Sequence, residues 1–400
     1  MTDKEQAAAL KAQLLDKLKQ AGLFRAEGVR AAFDAVPRHL FLPHLSLEEA
    51  YEDKAVGIKH NKAGLLTSSA SQPTMMSIML NQLDLRVGDN VLEIGTATGY
   101  NAALMGHIVG QTGRVTTIEI DTGLAKQAER NLQNAHMNRV TVVNADGAQG
   151  YAPRAAYDHI VATVGVWDIP DTWLTQLKPN GSIVAPIVID GVQMSAKFKP
   201  LSDGSYISFD NRPCSFVYML GDNAGPNYRR QVGSTSMYLL ADQVEEIDTA
   251  ALHLLLSDDH QYCHFDTPLE PHDYYNGYQL YLMLNEPDDH IFAAYAVIDG
   301  QKAYGIEGRG IALFARGSAA LADYQGRTLV HCFAGSDAFI EMQRALDEWN
   351  ALGKPTQRKM RIRLIPRGLG KPEIERGKLF ERNDNYLHAW IDADAPDEED

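Results

Sequence analysis

The sequence is poor in cysteine and has no long apolar run. Its three cysteines, Cys214, Cys263 and Cys332, are odd in number and far apart, so no disulfide framework is expected. No apolar run reaches the roughly 18 residues that a membrane span requires. The N-terminal segment MTDKEQAAALKAQLLDKLKQAG is typical of an amphipathic helix and not of a signal peptide. These absences predict a cytoplasmic protein that does not enter a membrane.

Basic residues are outnumbered as well. Lys and Arg total 37 against 52 Asp and Glu, which gives a formal net charge of −15 at pH 7. Because affinity for nucleic acid comes largely from Lys and Arg contacts with phosphates, this balance disfavours a nucleic-acid partner. Part of the charge lies in DADAPDEED, where residues 392–400 are predicted to form a solvated acidic tail. A basic peptide partner is compatible with the acidity, as is solubility alone.

The segment HQYCHFD brings several potential metal ligands together, namely His260, Cys263, His264 and Asp266, with His272 shortly after. No second Cys/His pair follows at the spacing of a zinc finger, so no metal site is predicted. The neighbouring aromatic run YYNGYQLY is interpreted as a half-buried strand and not as a binding platform.

The chain of 400 residues is long enough for two or three domains. From residue 81 to 222, short apolar strands such as NVLEIGT and RVTTIEID alternate with helices. This alternation predicts a parallel sheet covered on both faces, a doubly wound α/β domain whose ligand lies at the carboxyl ends of the strands. Residues 1–80 are predicted to be helical, with a polar loop at AGLLTSSASQPTMM.

A second, α+β domain is predicted over residues 226–391, after a boundary at Gly225 and Pro226. Two of its segments are predicted to be helices and five to be strands. The helices are QVEEIDTAALHLLLS and SDAFIEMQRALDEWNAL, and the strands are YQLYLMLN, HIFAAYAVID, GIALFA, RTLVHCF and KMRIRLIP.

The glycine-bearing loop in VLEIGTATGY, residues 91–100, has the strand–loop–helix setting of a nucleotide-type site. It could hold a dinucleotide, the phosphates of ATP, or a cofactor without phosphate. No Lys follows the second glycine, which disfavours ATP. The carboxylate of Glu93 would repel a pyrophosphate at the helix N-terminus but would favour an ammonium or sulfonium group. A cationic cofactor therefore fits best.

Two further acidic residues follow the next two strands. Glu119 ends the second strand, where a carboxylate can accept both hydroxyls of a ribose, and Asp146 in NADG is placed to accept from an adenine amino group. Solvated acids at strand ends are common singly, but three in register with a glycine loop indicate S-adenosylmethionine. The residues predicted to bind this cofactor are Glu93, Gly95, Thr96, Ala97, Gly99, Tyr100, Glu119, Ile120, Asp146 and Gly147.

Residues 25–222 resemble the protein-L-isoaspartate O-methyltransferase family. The core segments VLEIGTATGYNAAL, VTTIEID, VVNADG and YDHIVATVGVWDIPDTWLTQLKPNGSIVAP carry the resemblance. The segments VPRHLFLP and AYEDKAVGI resemble the family's N-terminal signature, SQPTMM its Ser-x-Pro active-site loop, and CSFVYML a closing strand. Ala97 stands where the family usually has glycine. Alanine permits a close backbone approach but does not adopt a positive φ freely.

The resemblance implies a Rossmann-like class I methyltransferase fold and methyl transfer to a carboxylate, with S-adenosyl-L-homocysteine as the product. It further implies that Ser71 orients the acceptor carboxylate, with Ser69, Gln72 and Pro73 beside the substrate; without the resemblance, Ser71 would be interpreted as a helix-capping or turn serine. A carboxylate with a pKa of about 4 is ionised at pH 7, so no general base is needed. The fourth-strand segment ATVGV also lacks the Asn/Asp-Pro-Pro-aromatic loop of enzymes that methylate nucleic-acid amines.

The C-terminal region, with GIEGRGIALFA and KMRIRLIP, is similar to the extension found on homologues from ribosomal-peptide gene clusters of the lanthipeptide FxLD, lasso-peptide and graspetide kinds. That similarity implies methylation of an Asp side chain in a modified peptide, with the ester going on to aspartimide or isoaspartate. The alternatives are methylation of a peptide C-terminal carboxylate and repair of isoaspartyl residues in damaged proteins. The second domain is expected to recognise the substrate, and it could also form a homo-oligomer.

Overall fold

The structure is a computed structural model that describes residues 2–62, 64–226, 229–242, 244–258 and 260–395. Residues 396–400 of the predicted acidic tail lie outside this range. The helices are α1 (Asp3–Gln20), α2 (Glu27–Ala35), α3 (Leu47–Tyr51), α4 (Pro73–Leu83), α5 (Tyr100–Val109), α6 (Thr122–Asn134), α7 (Asp171–Gln176), α8 (Thr249–Ser257), α9 (Pro271–Asp273), α10 (Gln279–Asn285) and α11 (Asp337–Ala351). Among the described residues, no helix combines the length and apolar character that a membrane crossing requires.

Within the part of the chain that the structure describes, the strands form one sheet of two strands, one of ten and one of seven. The strands before residue 201 are β1 (Val56–His60), β2 (Leu66–Ala70), β3 (Asn90–Ile94), β4 (Arg114–Glu119), β5 (Val140–Asn144), β6 (Tyr157–Ala162), β7 (Leu177–Ile189) and β8 (Val192–Pro200). The later strands are β9 (Tyr206–Pro213), β10 (Arg229–Gln231), β11 (Met237–Leu240), β12 (His260–His264), β13 (Ile291–Val297), β14 (Arg309–Ala315), β15 (Ser318–Asp323), β16 (Leu329–Phe333), β17 (Met360–Pro366), β18 (Lys378–Glu381) and β19 (Asn385–Ile391).

The central strands confirm the predicted doubly wound domain. Strands β7, β6, β3, β4 and β5 are neighbours in this order and pair in parallel. Strand β3 is buried on both faces, because Val91 belongs to the apolar cluster that contains α5 and Leu92 to the cluster on the opposite face. The chain leaves β3 toward β4 on one side and returns to β6 on the other. Ligands of such sheets bind at this reversal of strand order, outside the carboxyl ends of the strands.

The N-terminal region contains the predicted helices and the hairpin β1–β2, which was not predicted. Helix α1 begins with a capping box formed by Thr2 and Glu5, and α4 begins with Pro73 at its first position. The segment predicted to be a polar loop is in part strand β2, which pairs antiparallel with β1. Its residues LTSSA have no apolar alternation, so only the pairing with β1 makes them a strand.

The predicted C-terminal domain is divided in the structure. Residues 229–333 form the antiparallel seven-stranded sheet, whereas β17, β18 and β19 extend the ten-stranded sheet through the pairing of β17 with β9. The strands of residues 226–391 are therefore divided between two sheets, and the predicted domain boundaries stay a prediction. A strand's sequence encodes its periodicity but not the distant strand with which it pairs.

Within this part of the chain, the prediction of a strand at YQLYLMLN was wrong. Residues 274–278 form a π-helical turn that continues into α10, and residues 279–284 are all buried. A short segment that is apolar on every side does not distinguish a buried strand from a buried helix. The predicted helices in α8 and α11 are confirmed, whereas β10, β11, β12, β15, β18 and β19 were not predicted.

The pairing of β12 with β16 changes the interpretation of the cysteines. Contrary to the sequence expectation, Cys263 and Cys332 are joined as a disulfide, with a Cα–Cα distance of 6.3 Å across 69 residues of chain. The pairing of β12 with β16 brings the two cysteines together, and their separation of 69 residues in the sequence gave no indication of this pairing. In the same strands, His260 is hydrogen-bonded to His331. The described residues include no group of three or more His, Cys, Asp or Glu side chains that could hold a metal ion.

A buried charge cluster connects the two large sheets. Lys378 on β18 is paired with Glu286 and with Asp190, and Arg382 is paired with Asp242. Three carboxylates thus face two cations. Burial raises the pKa of Glu286 to about 7, despite the opposing effect of Lys378, and burial raises that of Asp242 to about 6.

Glu286→Gln is expected to flatten the dependence of stability on pH. Because the folded-state pKa of Glu286 lies above its ordinary value of 4.5, its stabilising contribution is present at low pH and is lost as pH rises through about 7. Chemical unfolding at several pH values should therefore show the variant to be more stable than the parent by about 3 kcal/mol above this pKa and equally stable well below it. The exposed Glu129→Gln serves as the control, and a gain that is equal at all pH values would contradict the assignment.

Candidate active site

A cavity of about 390 Å³ lies at the reversal of strand order. Its floor is formed by the loop after β3, and its sides by the ends of β4 and β6. The hairpin β1–β2 and residues 217–220 complete the wall. The wall residues in these segments include 94–98, 118–121, 163–164, 217–220, 59–61 and 67–71, together with Arg38, Met76, Tyr100, Asn101, Leu124 and Gly147.

The glycine loop requires its small residues. Gly95 has φ +98°, and a Cβ built there would lie 2.7 Å from Thr163 Oγ1, an atom that donates a hydrogen bond to the Gly95 carbonyl at 2.6 Å. Gly99 precedes α5 with φ +87°. Ala97 also adopts a positive φ, +46°, at the position where glycine was expected. Left-handed backbone costs a non-glycine residue roughly 1–2 kcal/mol, and the Ala97 amide offsets part of this cost by donating to Glu119 Oε2 at 2.9 Å.

Glu119 lies in the wall with only 7% of its surface exposed. Its Oε1 accepts from the Asp121 amide at 3.0 Å and its Oε2 from the Ala97 amide. Burial raises the pKa of Glu119, and these two backbone amides oppose the increase. The two amides thus fix a carboxylate at the mouth of the cavity, as the ribose assignment requires.

Glu93 is not part of the cavity wall, contrary to the expectation that its carboxylate faces a cation. It is fully buried beneath the loop and accepts hydrogen bonds from Asn101 Nδ2 at 2.8 Å and Thr117 Oγ1 at 2.6 Å. Burial raises its pKa to about 7. Asn101 does line the cavity. Glu93 therefore orients a residue of the cavity wall but does not itself contact the cavity.

Asp146 was expected to accept from an adenine amino group, but it does not line the cavity, and each of its oxygens accepts one backbone amide. Oδ1 accepts from the Ala148 amide at 2.9 Å, and Oδ2 accepts from the Asp222 amide at 2.7 Å. Asp146 therefore ties residues 221–222 to the end of β5. Of the ten predicted cofactor-binding residues, Gly95, Thr96, Ala97, Tyr100, Glu119, Ile120 and Gly147 line the cavity, whereas Glu93, Gly99 and Asp146 do not.

The end of β2 contains two of the residues predicted to contact or orient the methyl acceptor. Ser69 and Ser71 line the cavity, whereas Gln72 and Pro73 do not. Gln72 instead donates to the Asp53 carbonyl at 3.2 Å, and Pro73 is the first residue of α4. These two residues therefore hold the end of β2 against its neighbours and stay behind the surface that a substrate would touch.

Arg38 is a wall residue whose role the sequence interpretation missed, although it lies in the quoted segment VPRHLFLP. Its side chain is buried, donates to the Ser71 carbonyl at 3.0 Å, and lies over the ring of Tyr100. Burial lowers the pKa of Arg38, and Tyr100 and Asp53 oppose the decrease. A guanidinium remains charged under these conditions, so the cavity contains a fixed positive charge beside Ser71.

The hairpin β1–β2, whose second strand contains Ser69, is tied to the part of the cavity wall that contains Glu119. Lys59 on β1 is paired with Asp121, which follows β4 and neighbours the carboxylate of Glu119. This ion pair joins the wall that carries the serines to the wall that carries Glu119. The Lys59–Asp121 pair could not be predicted from the sequence, because strand β1 itself was not predicted.

The residues present fit an adenosine-bearing cation. Glu119 offers a fixed carboxylate for a diol, the loop of residues 95–99 admits close backbone approach, and Ile94, Ile118 and Leu124 supply apolar surface. No Lys or Arg lies on the glycine loop, where phosphates would need one.

Comparison with known proteins agrees with this arrangement. A sequence model of the protein-L-isoaspartate(D-aspartate) O-methyltransferase family matches residues 9–224. The chain is 36% identical over 234 residues to the protein-L-isoaspartate O-methyltransferase of Hyperthermus butylicus, covering 56% of this chain and 95% of that protein. It is 36% identical over 211 residues to the protein of the same name from Methanopyrus kandleri, covering 52% and 91%.

A solved structure titled protein-L-isoaspartate O-methyltransferase covers 88% of this chain and 96% of its own, with a TM-score of 0.51 and 22% identity. At that identity the likeness concerns the fold, and it extends beyond residue 224 into the C-terminal half. Over the N-terminal half, sequence identity, the family match and the cavity agree on one assignment. The chain therefore belongs to the protein-L-isoaspartate(D-aspartate) O-methyltransferase family and is an S-adenosylmethionine-dependent carboxyl methyltransferase.

Proposed function

We propose that this enzyme methylates the α-carboxylate of isoaspartyl residues in peptides and proteins. The observation that carries the proposal is that Ser69, Ser71 and Arg38 line the same cavity as Glu119 and the glycine loop. A carboxylate acceptor beside Ser71 would meet hydroxyl donors and a buried cation. The names of the related archaeal proteins support isoaspartate as the acceptor.

The proposed mechanism relies on positioning. The bound cofactor supplies an electrophilic methyl group, and the acceptor carboxylate is already ionised, so no side chain has to remove a proton. Ser71 orients the acceptor oxygen by hydrogen bonding. Arg38 holds the Ser71 backbone through its carbonyl and favours the anionic acceptor by its charge. The hairpin β1–β2, held by the Lys59–Asp121 pair, limits the access of water to the cavity.

A second candidate acceptor is the side chain of an Asp residue in a ribosomally made, modified peptide, whose methyl ester would go on to aspartimide. Its support is the separate seven-stranded sheet of residues 229–333, which the mechanism above does not use. Against it stands the solved isoaspartyl methyltransferase structure, whose likeness also extends beyond residue 224, so that a C-terminal region does not by itself distinguish the two substrates.

Three peptides of one sequence separate these acceptors. The first contains isoaspartate and a C-terminal amide, the second contains Asp and a C-terminal amide, and the third contains Asp and a free C-terminus. Intact-mass measurement after incubation with the enzyme and S-adenosylmethionine should show a methyl gain in the first peptide only. A gain in the second would favour the Asp side chain, and a gain in the third alone would favour the C-terminal carboxylate.

Ser71→Ala is expected to lower kcat about tenfold while leaving S-adenosylhomocysteine affinity unchanged. The loss of one hydrogen bond to a charged acceptor costs about 1.5 kcal/mol, and Ser71 belongs to a different segment of the cavity wall from Glu119 and the glycine loop. Steady-state kinetics with the isoaspartyl peptide and calorimetry with the cofactor product measure the two effects. The exposed Ser202→Ala is the matched control. An unchanged kcat would remove Ser71 from the mechanism.

A further inference from the structure

The turn that joins β18 to β19 contacts the loop that follows β6, residues 163–170. We infer that Arg382 on this turn and Asn385 at the start of β19 are positioning residues for cofactor binding, acting through that loop. They lie in the part of the chain beyond residue 224, outside the family match. The inference concerns the bound cofactor and does not depend on which carboxylate is methylated.

The contact is made by buried polar groups that hydrogen-bond to one another. The carboxylate of Asp168 accepts from the Asp384 amide at 2.6 Å and from Asn385 Nδ2 at 2.7 Å. Asn385 Nδ2 also donates to the Ile169 carbonyl at 2.7 Å. Asp168 and Asn385 are both fully buried, so loss of either partner leaves the other without a substitute from solvent.

The loop connects these groups to two walls of the cavity. At its start, Thr163 lines the cavity and donates to the Gly95 carbonyl, so its position fixes the glycine loop. Next, Gly165 pairs with the part of the cavity wall formed by residues 217–220. Its amide donates to the Val217 carbonyl, and its carbonyl accepts from the Met219 amide. Asp168 is also attached to the segment that follows residues 217–220, because its backbone carbonyl accepts from Asn223 Nδ2 at 2.7 Å.

Arg382 supports the same loop from the side. Its guanidinium lies 4.5 Å from the centroid of the Trp167 ring, donates to the Val188 carbonyl at 3.3 Å, and is paired with Asp242 at 2.5 Å. Asp242 follows β11 in the seven-stranded sheet. A displacement of that sheet is therefore transmitted through Arg382 to Trp167, and from Trp167 to the cavity wall.

Asn385→Ala is the direct test. Its dissociation constant for S-adenosylhomocysteine, measured by calorimetry, should rise about tenfold, and the KM for S-adenosylmethionine should rise with it, while the KM for the peptide stays within twofold. The matched control is His388→Ala on the same strand, which removes a hydrogen bond to the Arg376 carbonyl and touches no cavity loop. This control should bind as the parent does. Unchanged cofactor affinity in Asn385→Ala would overturn the proposal.

A pair of isosteric variants covers the case in which Asn385→Ala does not fold. Asp168→Asn places amide donors against each other and should weaken cofactor binding. Asp168→Asn with Asn385→Asp restores a donor–acceptor pair between the two side chains but sets a carboxylate against the Ile169 carbonyl, so it should recover only part of the affinity. A cofactor affinity equal to that of the parent in both variants, measured well below their unfolding temperatures, would show that the contact does not position the site.

Discussion

Glu119→Ala is expected to weaken S-adenosylmethionine binding about 100-fold. The carboxylate is held at the mouth of the cavity by the amides of Ala97 and Asp121. Two hydrogen bonds from ribose hydroxyls to a carboxylate are together worth about 3 kcal/mol, which corresponds to roughly two orders of magnitude in the dissociation constant. The variant also leaves the two amides without their acceptor, so the loop itself should lose order.

Calorimetry with S-adenosylmethionine measures this effect, and Glu129→Ala, an exposed position on α6, is the matched control. Glu119→Gln keeps one acceptor oxygen and should give an intermediate affinity. A Glu119→Ala protein that binds the cofactor as the parent does would refute the ribose assignment. The fixed carboxylate of Glu119 would then have no assigned ligand.

Gly95→Ala is expected to abolish detectable cofactor binding and to destabilise the protein by about 2–4 kcal/mol. Two costs add at this position. The backbone has φ +98°, which an alanine adopts only with strain, and the new Cβ would lie 2.7 Å from Thr163 Oγ1 and 3.1 Å from Val164 Cγ1. Because both of those residues line the cavity, relief of the clash moves the cavity wall.

Gly353→Ala separates the two costs. Gly353 has φ +78° and no atom within 4 Å of a built Cβ, so its substitution carries the backbone strain alone. Denaturant unfolding should show a loss of about 1 kcal/mol for this control and cofactor binding equal to that of the parent. If Gly95→Ala lost no more stability than Gly353→Ala and still bound the cofactor, the close contact with Thr163 would contribute nothing measurable to the free energy of unfolding or to cofactor binding.

Much of the catalytic half could be predicted because its information is local. Each βα unit carries its own apolar strand, its own turn and its own helix, and the parallel order follows from their alternation. The glycine loop and Glu119 are likewise set by residues close in sequence, and they lie in the cavity as expected. The assignment of Glu119 to a ribose remains a prediction until binding is measured.

The errors share one cause, which is dependence on partners distant in sequence. Glu93 sits in a strand-end position like that of Glu119, but Thr117 from the neighbouring strand and Asn101 enclose it beneath the loop. The carboxylate of Asp146 is taken by an amide 76 residues away. Cys263 and Cys332 meet only because β12 pairs with β16. None of these partners leaves a mark on the local sequence.

The sequence by itself determined the doubly wound domain, the glycine loop with its carboxylate, and the family, because periodicity and short motifs encode them within a few tens of residues. Only the tertiary structure decided that Arg38 lies beside Ser71, that Lys59 joins two walls, and that the last strands complete the catalytic sheet. Those features depend on which surfaces meet after folding. That choice is made by the burial and pairing of the whole chain, which no single segment specifies.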